Sequence, residues 1–553
     1  MEIILLEHPW HVIRTAAPRR DATAEGQHVP PWPRFAAFPS GTLLCSASNA
    51  QVYPAIEVCN PVANGFRVAE LPMPALEGDS AYGEGVELYE RDVLLEVLKL
   101  SYPGRYPVGD SDAESEPSTY EVFFDELLNE TLFLVRQVLK ADLPRSPATY
   151  WSSILADLRA KTDSDPARHS LVVDLAKTLM EPLEHVTSHP KRMLKRIRDQ
   201  QRVQLVQEID THCLIDLARR PGSTMPEKAG PKQRVMAVTR HENIDLLENR
   251  VARHCCELLR RAAGRYLHSH QRVGRSERKQ QVEKLFRNSK RWPSKPTVSG
   301  VGRLLSPCRQ PNYALLQNIH YSRIWDGYSK LVRNEELRDG LWRWPRRLWM
   351  DRVGVYVADT VLSWAERSRH AVCINTADRL VQASHRHECG AWLSSDIMPG
   401  PFIVGMSSAE AGTLHIIDGR HPGVIDAKFG ETSLLCSDFL AFLVKGSVIR
   451  ALPIYAIWPS PCEAPGLDKA WWERIVGDVL ESIALFNRRA KHVVAVGALL
   501  VHGSWDASSR NGPWHTATRD DLTCWQTALR PDASSWPTDI ADRYRPFDVL
   551  TGG

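Results

Sequence analysis

Asp426 and Lys428 stand two residues apart in Gly423-Val424-Ile425-Asp426-Ala427-Lys428-Phe429. On a strand that spacing turns a carboxylate and an ammonium to one face. The apolar Val424, Ile425, Ala427 and Phe429 around them predict a mostly buried strand. An acid that can hold Mg²⁺ beside a lysine that can orient or deprotonate a water is what phosphodiester hydrolysis needs. A plain surface ion pair uses the same two residues, so the surrounding elements have to decide.

Those elements begin near residue 371. The stretches 371–374, 402–404, 414–417, 424–427, 454–457 and 493–501 read as strands, and helices are expected over 437–443 and 469–486. Mixed strands with interposed helices predict a compact α/β domain. Residues 1 to about 110 read as short strands broken by Pro and Gly, with 42–45, 55–58 and 65–68 the clearest. Helical periodicity follows over 120–140, with Phe123, Phe124, Leu127, Leu128, Leu132 and Leu134 on one face, and the pattern stays mostly helical to about 370. The fold class expected is α+β multidomain: a β-rich N-terminal domain (1–115), a helical middle domain with basic stretches (116–340), an α/β domain (341–505) and an irregular C-terminal cap (506–553).

At 553 residues the chain is long enough for several cores. Its 43% hydrophobic and 24% charged content is that of an ordinary water-facing protein, and no apolar run approaches a membrane span. Eleven unevenly spaced cysteines suit reduced thiols better than a disulfide framework. Acids in Met1-Glu2-Ile3-Ile4-Leu5-Leu6-Glu7 sit where an export signal carries bases, so a cytoplasmic location is expected. Net charge is only +3 but unevenly placed. Arg272, Arg275, Arg278, Lys279, Lys290 and Arg291 crowd one stretch, and helical spacing would put Arg192, Lys195 and Arg196 on one face. Either cluster is a solvated helix face or a phosphate-binding surface.

Several patterns, in order, resemble the McrC-type family of modification-dependent restriction subunits. They are His241 through Val251 with its Glu248-Asn249-Arg250, Leu315 through Trp325 with Tyr328 after it, Arg352 through Trp364, and Val424 through Phe429 followed by Ile454-Tyr455-Ala456-Ile457-Trp458-Pro459. Together they cover roughly 150–460. The resemblance implies a C-terminal PD-(D/E)xK (restriction-endonuclease-like) domain, Mg²⁺ or Mn²⁺ as cofactor, DNA as substrate, and a McrB-like AAA+ NTPase as partner in a hetero-oligomer. It places the metal on Asp426 and a water-orienting role on Lys428. Without any family, Glu248, Asn249 and Arg250 read as a capping and salt-bridge cluster, and Tyr321, Trp325 and Tyr328 as core.

The family pattern also asks for a first acid across a hairpin from Asp426. A turn at Gly419-Arg420-His421-Pro422 would pair 412–418 with 423–429, setting Asp418 beside Gly423 and Thr413 opposite Lys428. Gly412-Thr413 then occupies the place of the expected Pro-Asp. Asp418, Glu410 and Asp396 are the candidates for the second acid, with Asp418 as second metal ligand. His385-Arg386-His387-Glu388-Cys389 is either a zinc-binding group or a loop histidine cluster. No Walker A, G-x-G-x-x-G or G-x-S-x-G pattern appears, so an NTP-driven step falls to a partner. The expectation is a metal-dependent DNA endonuclease subunit of an anti-phage system. The alternative is a degenerate nuclease fold serving as a DNA-binding or assembly scaffold.

Overall fold

The computed structural model describes residues 165–367 with 166, 168, 272 and 343 left out. It also describes 3–6, 35–39, 41–46, 55–58, 66–71, 85–90, 93–99, 123–131, 372–373, 401–405, 412–418, 435–458, 469–503, 515–519, 521–529 and 545–551. Two compact units result: 165–335, and 1–164 together with 336–553.

The chain opens with β1 (Ile4–Leu6), β2 (Phe35–Pro39), β3 (Leu43–Ser46), β4 (Ala55–Val58), β5 (Phe66–Glu70), β6 (Gly85–Glu90) and β7 (Val93–Lys99). They form two antiparallel sheets, β1-β2-β5-β4 and β3-β6-β7, so the β-rich start is as expected. Residues 123–131 are helical (α1) and bury Phe123, Phe124, Leu127 and Leu128, the apolar face that the sequence predicts.

The 165–335 unit contains α2 (Leu171–Ser188), β8 (Met193–Arg202), α3 (Thr211–Arg219), α4 (Met225–Ala229), β9 (Arg234–Asn243), α5 (Leu247–Ser269), α6 (Glu277–Arg291) and α7 (Tyr313–Gln317). Helix α8 (Ile319–Trp342) carries the chain out of it. Its core is helical, built from Leu179 and Leu183 of α2, Cys255 and Leu259 of α5, Leu285 of α6, and Tyr321, Ile324 and Tyr328 of α8. A Cβ on Gly327 would come 2.6 Å from Leu179 Cδ1, so α8 packs closely on α2 there and a larger residue would displace the Leu179 side chain.

Residues 193–202 are not helical. They pair residue for residue with 234–243 as a two-stranded antiparallel ribbon. The expectation of a helix rested on charge spacing, but no 3.6-residue apolar stripe runs through Met193–Arg202 to bury a helix. Ten backbone pairs with β9 decide the conformation instead. Lys195 and Arg196 therefore point to opposite faces.

The last part holds α9 (Pro345–Arg367), β10 (Val372–Cys373), β11 (Pro401–Gly405), β12 (Thr413–Asp418), β13 (Phe439–Lys445), β14 (Val448–Ile457) and α10 (Lys469–Arg489). After these come β15 (Val493–Ala495), β16 (Gly497–Gly503), β17 (His515–Arg519), β18 (Leu522–Leu529) and α11 (Arg545–Thr551). One nine-stranded sheet runs β10-β11-β12-β13-β14-β16-β18-β17, with β15 beside β14. Strands β10 to β14 are antiparallel, and β14, β16 and β18 run parallel. The α10 crossover joins β14 to the parallel β15 and β16, as a parallel pair requires. Alternate residues serve two cores. Leu414, Ile416, Ala441, Ile454 and Val501 share one with Trp349, Val353 and Val357 of α9. Leu440, Phe442, Ala451 and Tyr455 share the other with Ile475, Val479 and Ile483 of α10.

Two expectations change here. Residues 439–445 form a central strand, not part of a helix over 437–443. Phe-Leu-Ala-Phe-Leu (439–443) is buried on both faces, and such a run carries no period that separates helix from strand. Within 506–553, expected to be an irregular cap, β18 is an inner strand between β16 and β17. No helix among the described residues is long and apolar enough to cross a membrane.

Candidate functional site

Asp426, Lys428, Glu410, Asp396 and the His385–Cys389 group lie outside the described residues. Asp418 lies inside them as the last residue of β12. Both edges of that strand are occupied. Leu414, His415, Ile416 and Ile417 pair with Gly405, Val404, Ile403 and Pro401 on one side, and Thr413 to Asp418 pair with Val444 to Phe439 on the other. The expected hairpin of 412–418 with 423–429 is thereby overturned, because a strand has two hydrogen-bonding edges and both are filled. Gly412 has φ +88°, and a Cβ there would fall 2.5 Å from the Val444 carbonyl oxygen. Proline, with φ fixed near −65°, cannot stand at that position. Among the described residues no three His, Cys, Asp or Glu side chains are placed to hold a metal ion.

The acid that sequence reading missed is Asp438, just before β13 and only 3% exposed. Its carboxylate accepts the Ala456 N–H at 2.7 Å and a hydrogen bond from the Arg346 guanidinium. Arg346 also reaches Glu70 of β5 at 3.4 Å and lies over the Phe35 ring, 4.9 Å from its centroid. Arg347 stacks 4.1 Å from the Trp344 ring, its Nε 3.5 Å from Glu70. Two acids and two guanidinium groups thus join β5, α9, β13 and β14 inside one core. The sequence signal was faint: an aspartate opening an apolar run, with its arginines nearly a hundred residues earlier.

The cationic clusters differ in how far their charges are exposed. Arg192 pairs with Glu242 at 2.7 Å, Arg198 with Asp210 at 2.6 Å, and Arg196 with Glu208, which also takes Arg240 at 3.1 Å. Asp210 caps α3 by accepting the Cys213 N–H at 3.0 Å. Its pKa falls well below the usual carboxylate range, through the Arg198 hydrogen bond first and the Cys213 N–H second. Arg278 and Lys279, in the first turn of α6, are turned back against neighbouring backbone. The Arg278 guanidinium donates to the Ala167 carbonyl at 3.1 Å, and Lys279 Nζ to the Val273 carbonyl at 2.9 Å. Asp165 accepts the Arg278 N–H at 3.0 Å. Burial opposes its ionisation, yet hydrogen bonds from Ser276, Arg278 and Ala167 prevail and bring its pKa to about 2. Arg275, Lys290 and Arg291 are exposed, whereas Arg272 lies outside the described residues.

Glu248-Asn249-Arg250 clamps the ribbon to the helical core. The Asn249 amide donates to the carbonyls of Lys191 (2.8 Å) and Ile244 (2.7 Å), the residues at the root of β8 and of β9. Its oxygen accepts the Tyr321 hydroxyl, which in turn accepts the Lys191 N–H at 3.0 Å. Glu248 binds Lys191 Nζ at 2.9 Å and the Asn312 amide at 3.1 Å. Arg250 grips Asp245 through two bonds of 2.7 and 2.5 Å, and Gly302 N–H adds a third to that acid at 2.7 Å. Tyr321 and Tyr328 are buried and Trp325 is partly buried against the same core, and Glu248 and Arg250 form the ion pairs expected of a salt-bridge cluster.

Residues 150–296 match the family described as "Domain of unknown function (DUF2357)". The match runs through the ribbon and its Glu248-Asn249-Arg250 clamp to the end of α6, and spans less than half of the chain. No curated protein matches the chain.

Proposed function

We propose that this chain is the metal-dependent DNA endonuclease subunit of an anti-phage restriction system that works with a McrB-like AAA+ NTPase. The carrying observation is the ordered series of motifs from Glu248-Asn249-Arg250 to Asp426-Ala427-Lys428. A mixed sheet with a helix against each face, in the part of the chain that bears Asp426, supports the reading. Asp426 would hold Mg²⁺ or Mn²⁺, Lys428 would orient the attacking water, and Asp418, Glu410 or Asp396 would complete the ligand set. The exposed Arg275, Lys290 and Arg291 would lie along DNA phosphates, a sequence-independent contact that weakens steeply with salt. The nucleotide-driven step belongs to the partner, and the complex works in the cytoplasm.

The test is cleavage of supercoiled plasmid by the purified chain with Mg²⁺ or Mn²⁺. Nicking or linearisation that stops with chelator, with Asp426→Ala and with Lys428→Ala is the expected result. Cleavage that persists in both variants sinks the assignment. One observation favours the alternative of a non-cleaving scaffold: β12 has no free edge on which a second acidic strand could pair with Asp418. That reading predicts plasmid retention without cleavage in wild type and Asp426→Ala alike.

A further inference from the structure

The β8/β9 ribbon has one closed and one open edge, and the hydrogen-bond pattern identifies them. Val238 N–H donates outward to the Glu208 carbonyl at 2.9 Å, away from β8. Arg198, which faces Val238, is therefore in a non-hydrogen-bonded pair, and its own N–H and C=O point outward from β8. The alternation continues: Val203 N–H bonds back to Gln233 O at 2.9 Å, so odd positions face β9 and even ones face away. The backbone groups of Leu194, Arg196, Arg198, Gln200 and Arg202 thus form an edge on which no further strand lies among the described residues. The Gln200 N–H is taken only by the neighbouring Asp199 side chain, at 2.7 Å. Positions 193–200 are all exposed.

Side chains on the two faces select what fits. Arg196, Arg198 and Arg202 line one face, and the first two remain 58% and 50% exposed despite their ion pairs. Leu194 and Gln200 share that face, while Met193, Lys195, Ile197 and Asp199 stand exposed on the other. A second, antiparallel copy of β8 pairs even positions with even ones, and central registers set Arg198 against Arg198 or Arg196, which is repulsive. Duplex DNA would leave the exposed Met193 and Ile197 uncovered.

We propose that the open edge of β8 receives an extended segment of a partner protein whose residues alternate acidic and apolar. Its acids would meet Arg196, Arg198 and Arg202, its apolar side chains would cover Met193 and Ile197, and its backbone would bond to the even positions of β8. The exposed arginines then have two effects, keeping copies of the chain from pairing edge to edge and admitting an acidic strand. The site is separate from the nuclease reading and stands without it.

The full chain is titrated with a short alternating Glu/Val peptide, with its Lys/Val counterpart and with a short DNA duplex, and amide hydrogen exchange is followed along β8. The Glu/Val peptide should bind, weaken with salt, and slow exchange at Leu194, Arg196, Arg198 and Arg202. Gln200→Pro removes an outward N–H that an edge strand can spare in the free protein. It should weaken the peptide by up to about tenfold, the effect of one lost backbone bond with its ring clash, whereas Gln200→Ala should not. Leu194→Pro should repeat the effect at the other end of the strand. No binding of the Glu/Val peptide, equal binding of the Lys/Val peptide, or equal affinity in the Pro and Ala chains overturns the proposal. Protection of the same amides by the duplex and not by the peptide overturns it in favour of nucleic acid on the ribbon.

Discussion

Two arginine–carboxylate networks hold different parts of this molecule, and their surroundings give them different weights. Around Asp438 the acids and guanidinium groups are almost wholly buried, and they tie β5 of the N-terminal strands to α9, β13 and β14. Around Glu208 and Asp210 the arginines are about half exposed, and they tie down one segment of a solvent-facing ribbon. Water screens the second network and not the first. A buried charge that loses its partner has nowhere to go, whereas an exposed one is simply rehydrated. The same residue types therefore build a rigid core joint in one unit and an adjustable surface in the other.

Asp438→Ala is the sharpest way to test that contrast. It strands Arg346 beside Glu70 and removes the acceptor of the Ala456 N–H. A loss of about 3–5 kcal/mol is expected, the range for breaking one side of a buried pair. Denaturant unfolding followed by tryptophan fluorescence reads it, since Trp342, Trp344, Trp349 and Trp458 share that core. A loss of about 1 kcal/mol or less, as for an exposed pair, would put the two networks on one footing.

The ribbon root should fall between the extremes. Asn249→Ala leaves the Lys191 and Ile244 carbonyls and the Tyr321 hydroxyl without their partner. The expected cost is about 1–3 kcal/mol for buried polar groups left unmet. Hydrogen exchange should accelerate along β8 and β9 before it does in α5. Uniform acceleration across the whole unit would show that Asn249 supports the helices and not the ribbon.

The contrast also marks what could be read from sequence. Periodicity found α1 through Phe123, Phe124, Leu127 and Leu128, and short apolar runs found most of the C-terminal strands, including β14 and β16, which are buried on both faces. Periodicity failed at 439–443, where burial on both faces erases the period, and at 193–202, where a partner forty residues away determines the conformation. Asp438 was invisible for the same reason: its importance lies in Arg346 and Glu70, which only the fold brings to it. Glu248-Asn249-Arg250 was legible as a structural cluster because its partners Asp245 and Ile244 are close in sequence. The second carboxylate beside Asp426 depended on a hairpin register, and the strand that carries Asp418 takes its neighbours from 401–405 and 439–445 instead.

The smallest expected effect belongs to the Asp245–Arg250 pair, whose side chains are 32% and 40% exposed. The Arg250 hydrogen bond and the Gly302 N–H hold the Asp245 pKa at about 2, below its ordinary value of 3.8. A depressed folded pKa means the unfolded chain takes up the proton first as pH falls. The pair's contribution is thus complete above about pH 4, declines below it and is gone below about pH 2. Asp245→Asn should remove that part of the acid-induced loss while costing about 0–1 kcal/mol at neutral pH, as screening of an exposed pair dictates. Stability measured against pH in wild type and variant reads the difference. Parallel curves between pH 4 and 2 would mean that Arg250 and Gly302 do not hold this carboxylate in solution.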